Sequence, residues 1–179
     1  MNLPNKITIF RVLMIPVFLI FMLIPDIPYG KYIAAAIFII AALSDLLDGY
    51  IARKHNLITN FGKFMDPMAD KLLVASALIC FVELKLLPAW IVIIIIAREF
   101  IISGFRLIAS DNGLVLAAGW SGKLKTNIQM IMSVMLILNL DHTIIDVLEQ
   151  IFIYGALALT VISMVDYMYH NRTVLREKK

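Results

Sequence analysis

Asp45-Leu46-Leu47-Asp48-Gly49-Tyr50-Ile51-Ala52-Arg53 and Gly62-Lys63-Phe64-Met65-Asp66-Pro67-Met68-Ala69-Asp70 are the two stretches that organise this chain. The first ends one apolar run and the second opens the next. Asp45 and Asp48 stand three residues apart, and Asp66 and Asp70 stand four apart. At helical spacing each pair shares one face. A short connection between the runs makes the two helices antiparallel neighbours, so four carboxylates meet at one level. Like charges repel at that spacing, and acids at a membrane boundary are costly unless paired. Arg53 and Lys71 offset part of the charge. A divalent ion offsets more, and an all-oxygen donor set favours hard ions such as Mg²⁺ or Mn²⁺. Gly49 and Ala52 lie one turn after Asp45 and Asp48, and Gly62 lies one turn before Asp66. Small residues there serve close helix packing or leave room for a ligand.

Outside these stretches the chain is strongly apolar. It has 179 residues, 61% of them hydrophobic and only 16% charged, with mean hydropathy +0.90. Soluble domains sit nearer half apolar and a quarter charged. The apolar residues form continuous runs rather than a period-two alternation, which favours membrane helices over a barrel. Six spans are expected by length: Ile9 to Ile24, Tyr32 to Asp48, Pro67 to Leu84, Pro88 to Ile108, Lys125 to Leu140 and Ile144 to Tyr169. The fold class is therefore all-α, a polytopic bundle forming one transmembrane catalytic domain over 1–179. Pro16 falls inside the first span, while Pro67 and Pro88 suit first turns. The start of the chain reads as a retained helix, because Pro25-Asp26-Ile27-Pro28 makes a poor cleavage site.

Of the sixteen basic residues, all but Lys31 and Lys85 fall on one side of these spans. The positive-inside rule then places both termini and the aspartates at the cytoplasmic face of the cell membrane. Trp90, Trp120, Tyr167 and Tyr169 sit near span ends, as interfacial aromatics do. The net charge of +3 comes from residues flanking apolar runs, which suits anionic lipid and not nucleic acid. Cys80 lies in an apolar run and reads as a small buried hydrophobe. His55, His142 and His170 share no ligand spacing.

The order Asp45-x-x-Asp48-Gly49-x-x-Ala52-Arg53, eight residues, then Gly62-x-x-x-Asp66-x-x-x-Asp70 resembles the signature of the CDP-alcohol phosphatidyltransferase family. Every signature position is filled. The resemblance implies that Asp45, Asp48 and Asp66 hold two divalent cations. It implies that Asp70 faces the metals and takes the proton of an acceptor hydroxyl. Gly49, Ala52, Arg53 and Gly62 would line the site of a CDP-activated lipid, with Arg53 near the diphosphate. A homodimer is implied as well.

Three further clusters bear on the acceptor. Asn5, Thr8 and Arg11 form a polar stripe at the start of the chain. It reads either as a short interfacial helix lying on the membrane or as a wall of the nucleotide site formed by Asn5 and Thr8. Arg98-Glu99 is a pair of opposite charges inside span four. Arg106, Lys123 and Lys125 would make a cationic pocket suited to an acceptor that carries phosphate. These stretches, with the opening Asn2-Leu3-Pro4-Asn5-Lys6-Ile7-Thr8, resemble the members of the family that pass the phosphatidyl group of CDP-diacylglycerol to glycerol-3-phosphate. Those members often carry Thr-Asp-Trp where this chain reads Ser44-Asp45-Leu46. Inositol phosphate, serine and phosphatidylglycerol are the alternative acceptors. A cation-coupled transporter would show internal repeats and acids at the midplane; the chain has no repeat, and its acids cluster at one edge.

Overall fold

The computed structural model describes the backbone of residues 3–54, 60–111 and 119–172, with the side chains at 3–4, 45–54, 60–64, 66–67 and 110–111 outside the description. Among the described residues there are six helices and no strand: α1 (Leu3–Leu23), α2 (Gly30–Lys54), α3 (Asn60–Glu83), α4 (Ala89–Asp111), α5 (Trp120–Leu138) and α6 (Thr143–His170). They fall into two compact units. One comprises Met1–Leu87 with Val134–Asn139, and the other comprises Pro88–Ser133 with Leu140–Lys179.

In the first unit α1 packs on both α2 and α3, which also touch each other. Phe18 and Phe38 are fully buried, with ring centroids 5.9 Å apart. Around them Ala34, Ala35, Ala41, Ala69 and Ala77 are buried. Small residues let helix backbones approach where lipid removes the usual hydrophobic drive for association. In the second unit α4 packs on α6 through Ile102, Phe105 and Tyr167, flanked by Met164 and Met168.

The core is mainly apolar, as in Phe18, Leu73, Phe81 and Ile95, but large apolar side chains also cover the outside and several polar ones are enclosed. Leu13, Ile40, Ile79, Ile93, Leu107, Ile131 and Ile151 are exposed, so every helix turns a large apolar side chain outward. Thr8, Arg11, Lys125, Gln129, Ser133, Thr160 and Ser163 are buried. Hydrocarbon outside and satisfied polar groups inside are what a bilayer requires. Two helical stretches, Asn5–Leu23 and Thr143–His170, are long and apolar enough by themselves to cross a membrane; Gly30–Ser44 is apolar but shorter.

Several sequence expectations are corrected. No separate interfacial helix precedes the first span, because Leu3–Leu23 is one helix and its polar stripe is buried. Pro16 sits inside that helix without ending it. The third helix starts at Asn60, seven residues before Pro67, so Pro67 is interior and Gly62, Asp66 and Asp70 share one helix. The second helix continues to Lys54 and carries Arg53 as well as both its aspartates. The fifth begins at Trp120, which places Lys123 within it. Pro88 immediately precedes α4, where its carbonyl accepts from Ile91 N at 3.1 Å. Tyr167 is no interfacial aromatic; it is buried at 7% exposure, while Trp90, Trp120 and Tyr169 are exposed. Cys80 is buried and free, as a packing residue would be. His142 caps α6, its Nδ1 accepting from Ile144 N; His55 lies outside the described residues.

Candidate active site

The four aspartates divide between two packed helices of the first unit. Asp45 and Asp48 are on the last three turns of α2, and Asp66 and Asp70 are on the first three turns of α3. The side chains of Asp45, Asp48, Gly49, Ala52, Arg53, Gly62 and Asp66 lie outside the described residues. Asp70 is half-buried, one turn before the buried Leu73, at the edge of the packed face of α3. The donor set is four carboxylates with no thiol or imidazole in the motif. Residues of that chemistry fit a hard divalent cation.

What anchors this end of α2 is the stripe on α1. Asn5, Thr8 and Arg11 recur at one-turn intervals, and all three are buried. Arg11 has no exposed surface. Its Nε donates to Ala41 O at 3.2 Å and to Ser44 Oγ at 3.3 Å, while Ser44 Oγ donates to Ala41 O at 2.7 Å. An unpaired guanidinium inside a membrane is expensive. The bonds from Arg11 fix the α2 turn that leads directly into Asp45. The stripe is thus packed beside the motif rather than laid on a membrane surface.

The second unit holds the cations expected to bind the acceptor. They have different partners. The Lys125 ammonium is buried and donates to Glu99 Oε1. Arg98 Nη1 donates to the same oxygen at 3.3 Å, and its Nη2 donates to Ser163 Oγ at 3.1 Å. The Arg98 Nε and Gln129 Oε1 atoms are buried with no hydrogen-bond partner among the described residues. Gly122 lies beside this network: a Cβ there would stand 3.6 Å from Arg98 Nη2, an ordinary van der Waals contact. Arg106 instead donates from Nε to Tyr167 Oη at 3.2 Å, with its guanidinium 5.4 Å from that ring's centroid. Tyr167 in turn meets Phe105 edge-on, with centroids 5.9 Å apart. Lys123 is exposed.

Sequence reasoning missed Ser163 and Tyr167 as partners of these arginines. The signal was present for Ser163: a hydroxyl in an apolar helix seeks a bond to its own backbone or to a neighbour. It also missed Ser121, whose Oγ donates to Asp166 Oδ2 at 2.9 Å.

The fold and the motif together define a class. The sequence profile described as CDP-alcohol phosphatidyltransferase matches residues 1–162, and the chain belongs to that family of membrane enzymes. Among curated proteins, it is 45% identical to the CDP-diacylglycerol–glycerol-3-phosphate 3-phosphatidyltransferase of Bacillus subtilis, over 98% of this chain and 97% of that one. Proteins of the same name from Haemophilus influenzae and Rickettsia typhi are 40% and 36% identical. They cover 93% and 96% of this chain, and 91% and 98% of their own lengths.

Proposed function

We propose that this chain transfers the phosphatidyl group of CDP-diacylglycerol to glycerol-3-phosphate, giving phosphatidylglycerophosphate and CMP. The observation that carries the reading is the near full-length likeness to relatives named for this reaction, at 36–45% identity. The complete aspartate signature supports it. The working form would be a homodimer in the cell membrane, each chain a single catalytic domain crossing six times, with termini and active site on the cytoplasmic side.

The chemistry follows from the residues. Asp45, Asp48, Asp66 and Asp70 would hold two Mg²⁺ or Mn²⁺ ions. Such ions, when bound, neutralise a diphosphate and the charge that grows on a departing phosphate. Gly49, Ala52 and Gly62 would line the site of the CDP moiety, Arg53 would lie near its diphosphate, and Asn5 and Thr8 would extend the same wall. Asp70 takes the proton of the acceptor hydroxyl. That oxygen bonds to the lipid-bearing phosphorus as the bond to CMP breaks. Arg106, Lys123 and Lys125 hold the acceptor's own phosphate. Lys125 would then share its charge between Glu99 and the incoming dianion.

The test is CMP release by purified protein in detergent, with CDP-diacylglycerol, Mg²⁺ or Mn²⁺, and one acceptor at a time. Release with glycerol-3-phosphate is expected, and its abolition in Asp70→Asn with CDP-lipid binding retained. Release only with inositol phosphate, serine or phosphatidylglycerol would reassign the acceptor. Full activity in Asp70→Asn would remove that residue as the base.

A further inference from the structure

At the other end of α2 from the aspartates the first unit contains a cavity of ≈ 520 Å³. Lys31 and Asp48 are separated by roughly 25 Å along the helix axis, so this cavity is not part of the site above. Its body is apolar, with Phe21, Ile24, Leu86 and Leu136 in its walls, and its rim carries Tyr29, Lys31 and Tyr32. The ammonium of Lys31 donates to Asn139 O at 3.2 Å and lies 5.6 Å from the Tyr32 ring centroid.

These are neutral partners. The carbonyl is at the C-terminal end of α5, which a lysine favours, and it uses one of three N–H donors. No carboxylate pairs with Lys31 among the described residues. Asp26, in the same connection, is exposed and makes no ion pair with it. The N-terminus of α2, at Gly30, adds the positive end of its helix dipole to the same wall. A half-buried cation without a counter-ion, above an apolar cavity, is the complement of an amphiphile with an anionic head. The charge pattern sharpens the point: Lys31 is one of only two basic residues expected on the side that positive charge avoids.

We propose that this cavity binds a phospholipid whose headgroup carries a net negative charge. Its phosphate rests on Lys31 and the Tyr29 and Tyr32 hydroxyls, and one acyl chain lies along the Phe21–Leu136 wall. The inference goes beyond the catalytic reading and does not rest on it.

Native mass spectrometry of the purified full chain decides the matter, using phosphatidylglycerol and phosphatidylcholine of matched chains. One added lysine contact corresponds to about fivefold preference. Wild-type protein should retain phosphatidylglycerol over phosphatidylcholine by about that ratio. Lys31→Met should lose the preference and Lys31→Arg should keep it. Leu86→Trp, which fills the cavity, should reduce retention of both lipids, and it serves if Lys31→Met does not fold. Equal retention of the two lipids by wild type overturns the proposal, as does an unchanged preference in Lys31→Met. Displacement by soluble glycerol phosphate would identify a free-phosphate site, and displacement by soluble CDP would move the lipid to the aspartate end. Either result also overturns it.

Discussion

Glu99 accepts from two cations at once, Arg98 and Lys125, and it is one-quarter exposed while Lys125 is almost fully enclosed. Removing the charge of the carboxylate weakens its bond to the enclosed lysine. Breaking a buried pair costs about 3–5 kcal/mol in soluble proteins; the partial exposure of Glu99 lowers this to about 2 kcal/mol. Glu99→Gln should therefore lower the thermal midpoint in detergent, and Glu99→Gln with Lys125→Met should recover part of the loss. A double variant no more stable than the single one would show that the pair is not the source. Arg106 makes a different prediction. If its phosphate role holds, Tyr167→Phe frees the guanidinium from the hydroxyl that aligns it. The loss of one charged hydrogen bond, about 1.5 kcal/mol, should raise KM for glycerol-3-phosphate roughly tenfold and leave KM for CDP-diacylglycerol unchanged. At this scale the aspartate motif was legible because its residues are local in sequence and fixed in spacing. The Arg98–Glu99 neighbours were legible for the same reason. Lys125 as the third member was not, because it is brought to Glu99 by helix packing across 26 residues. The same holds for Arg106 and Tyr167, which are 61 apart.

The ends of the helices carry their own logic. α3 closes with Leu86 N donating to Phe81 O at 2.8 Å and Lys85 N donating to Val82 O at 3.0 Å. This is the paired pattern in which the residue after the cap turns left-handed. That residue is Lys85, with φ 59°, where glycine is favoured because a Cβ crowds the backbone. Lys85→Gly should stabilise the protein by about 0.5–1 kcal/mol, read as a higher melting temperature by circular dichroism in detergent. A lower one would mean that the lysine side chain makes a contact of greater worth. α5 ends similarly at Asn139, with φ 41°; asparagine tolerates that region better. Gly30 is required for a different reason: a Cβ there would lie 2.9 Å from the Phe21 carbonyl oxygen. The number of helices and their apolar centres were readable from hydropathy. Their ends were not. The polar, motif-bearing turns of α2 and α3 continue the helices beyond the apolar runs, so a boundary drawn by hydropathy stops short of Lys54 and starts late at Pro67. Pro67 looked like a first turn, although a proline inside a helix is tolerated in membrane proteins when nearby groups satisfy the freed carbonyl.

For the whole molecule, the charge asymmetry makes a topological prediction. Cys80, the sole cysteine, is buried at 3% exposure, so it contributes little background to thiol labelling. With single cysteines introduced in intact cells, position 29 should react with an impermeant maleimide from outside. Positions 57 and 178 should react only after the membrane is opened. External labelling at 57 would invert the assigned orientation. Six spans were read from apolar runs, and among the described residues Asn5–Leu23 and Thr143–His170 are long and apolar enough to be two of them.

The outward apolar side chains and inward polar ones have one more consequence. In water, unfolding exposes apolar surface, and the hydration of that surface raises the heat capacity and bends the stability curve into a dome. Here Leu13, Ile40, Ile93 and Ile151 already face outward, and in a bilayer they meet hydrocarbon before and after tertiary packing is lost. The heat-capacity change of that step is accordingly small. Its stability should fall almost linearly on warming, with no optimum at low temperature and no cold-denatured state to find.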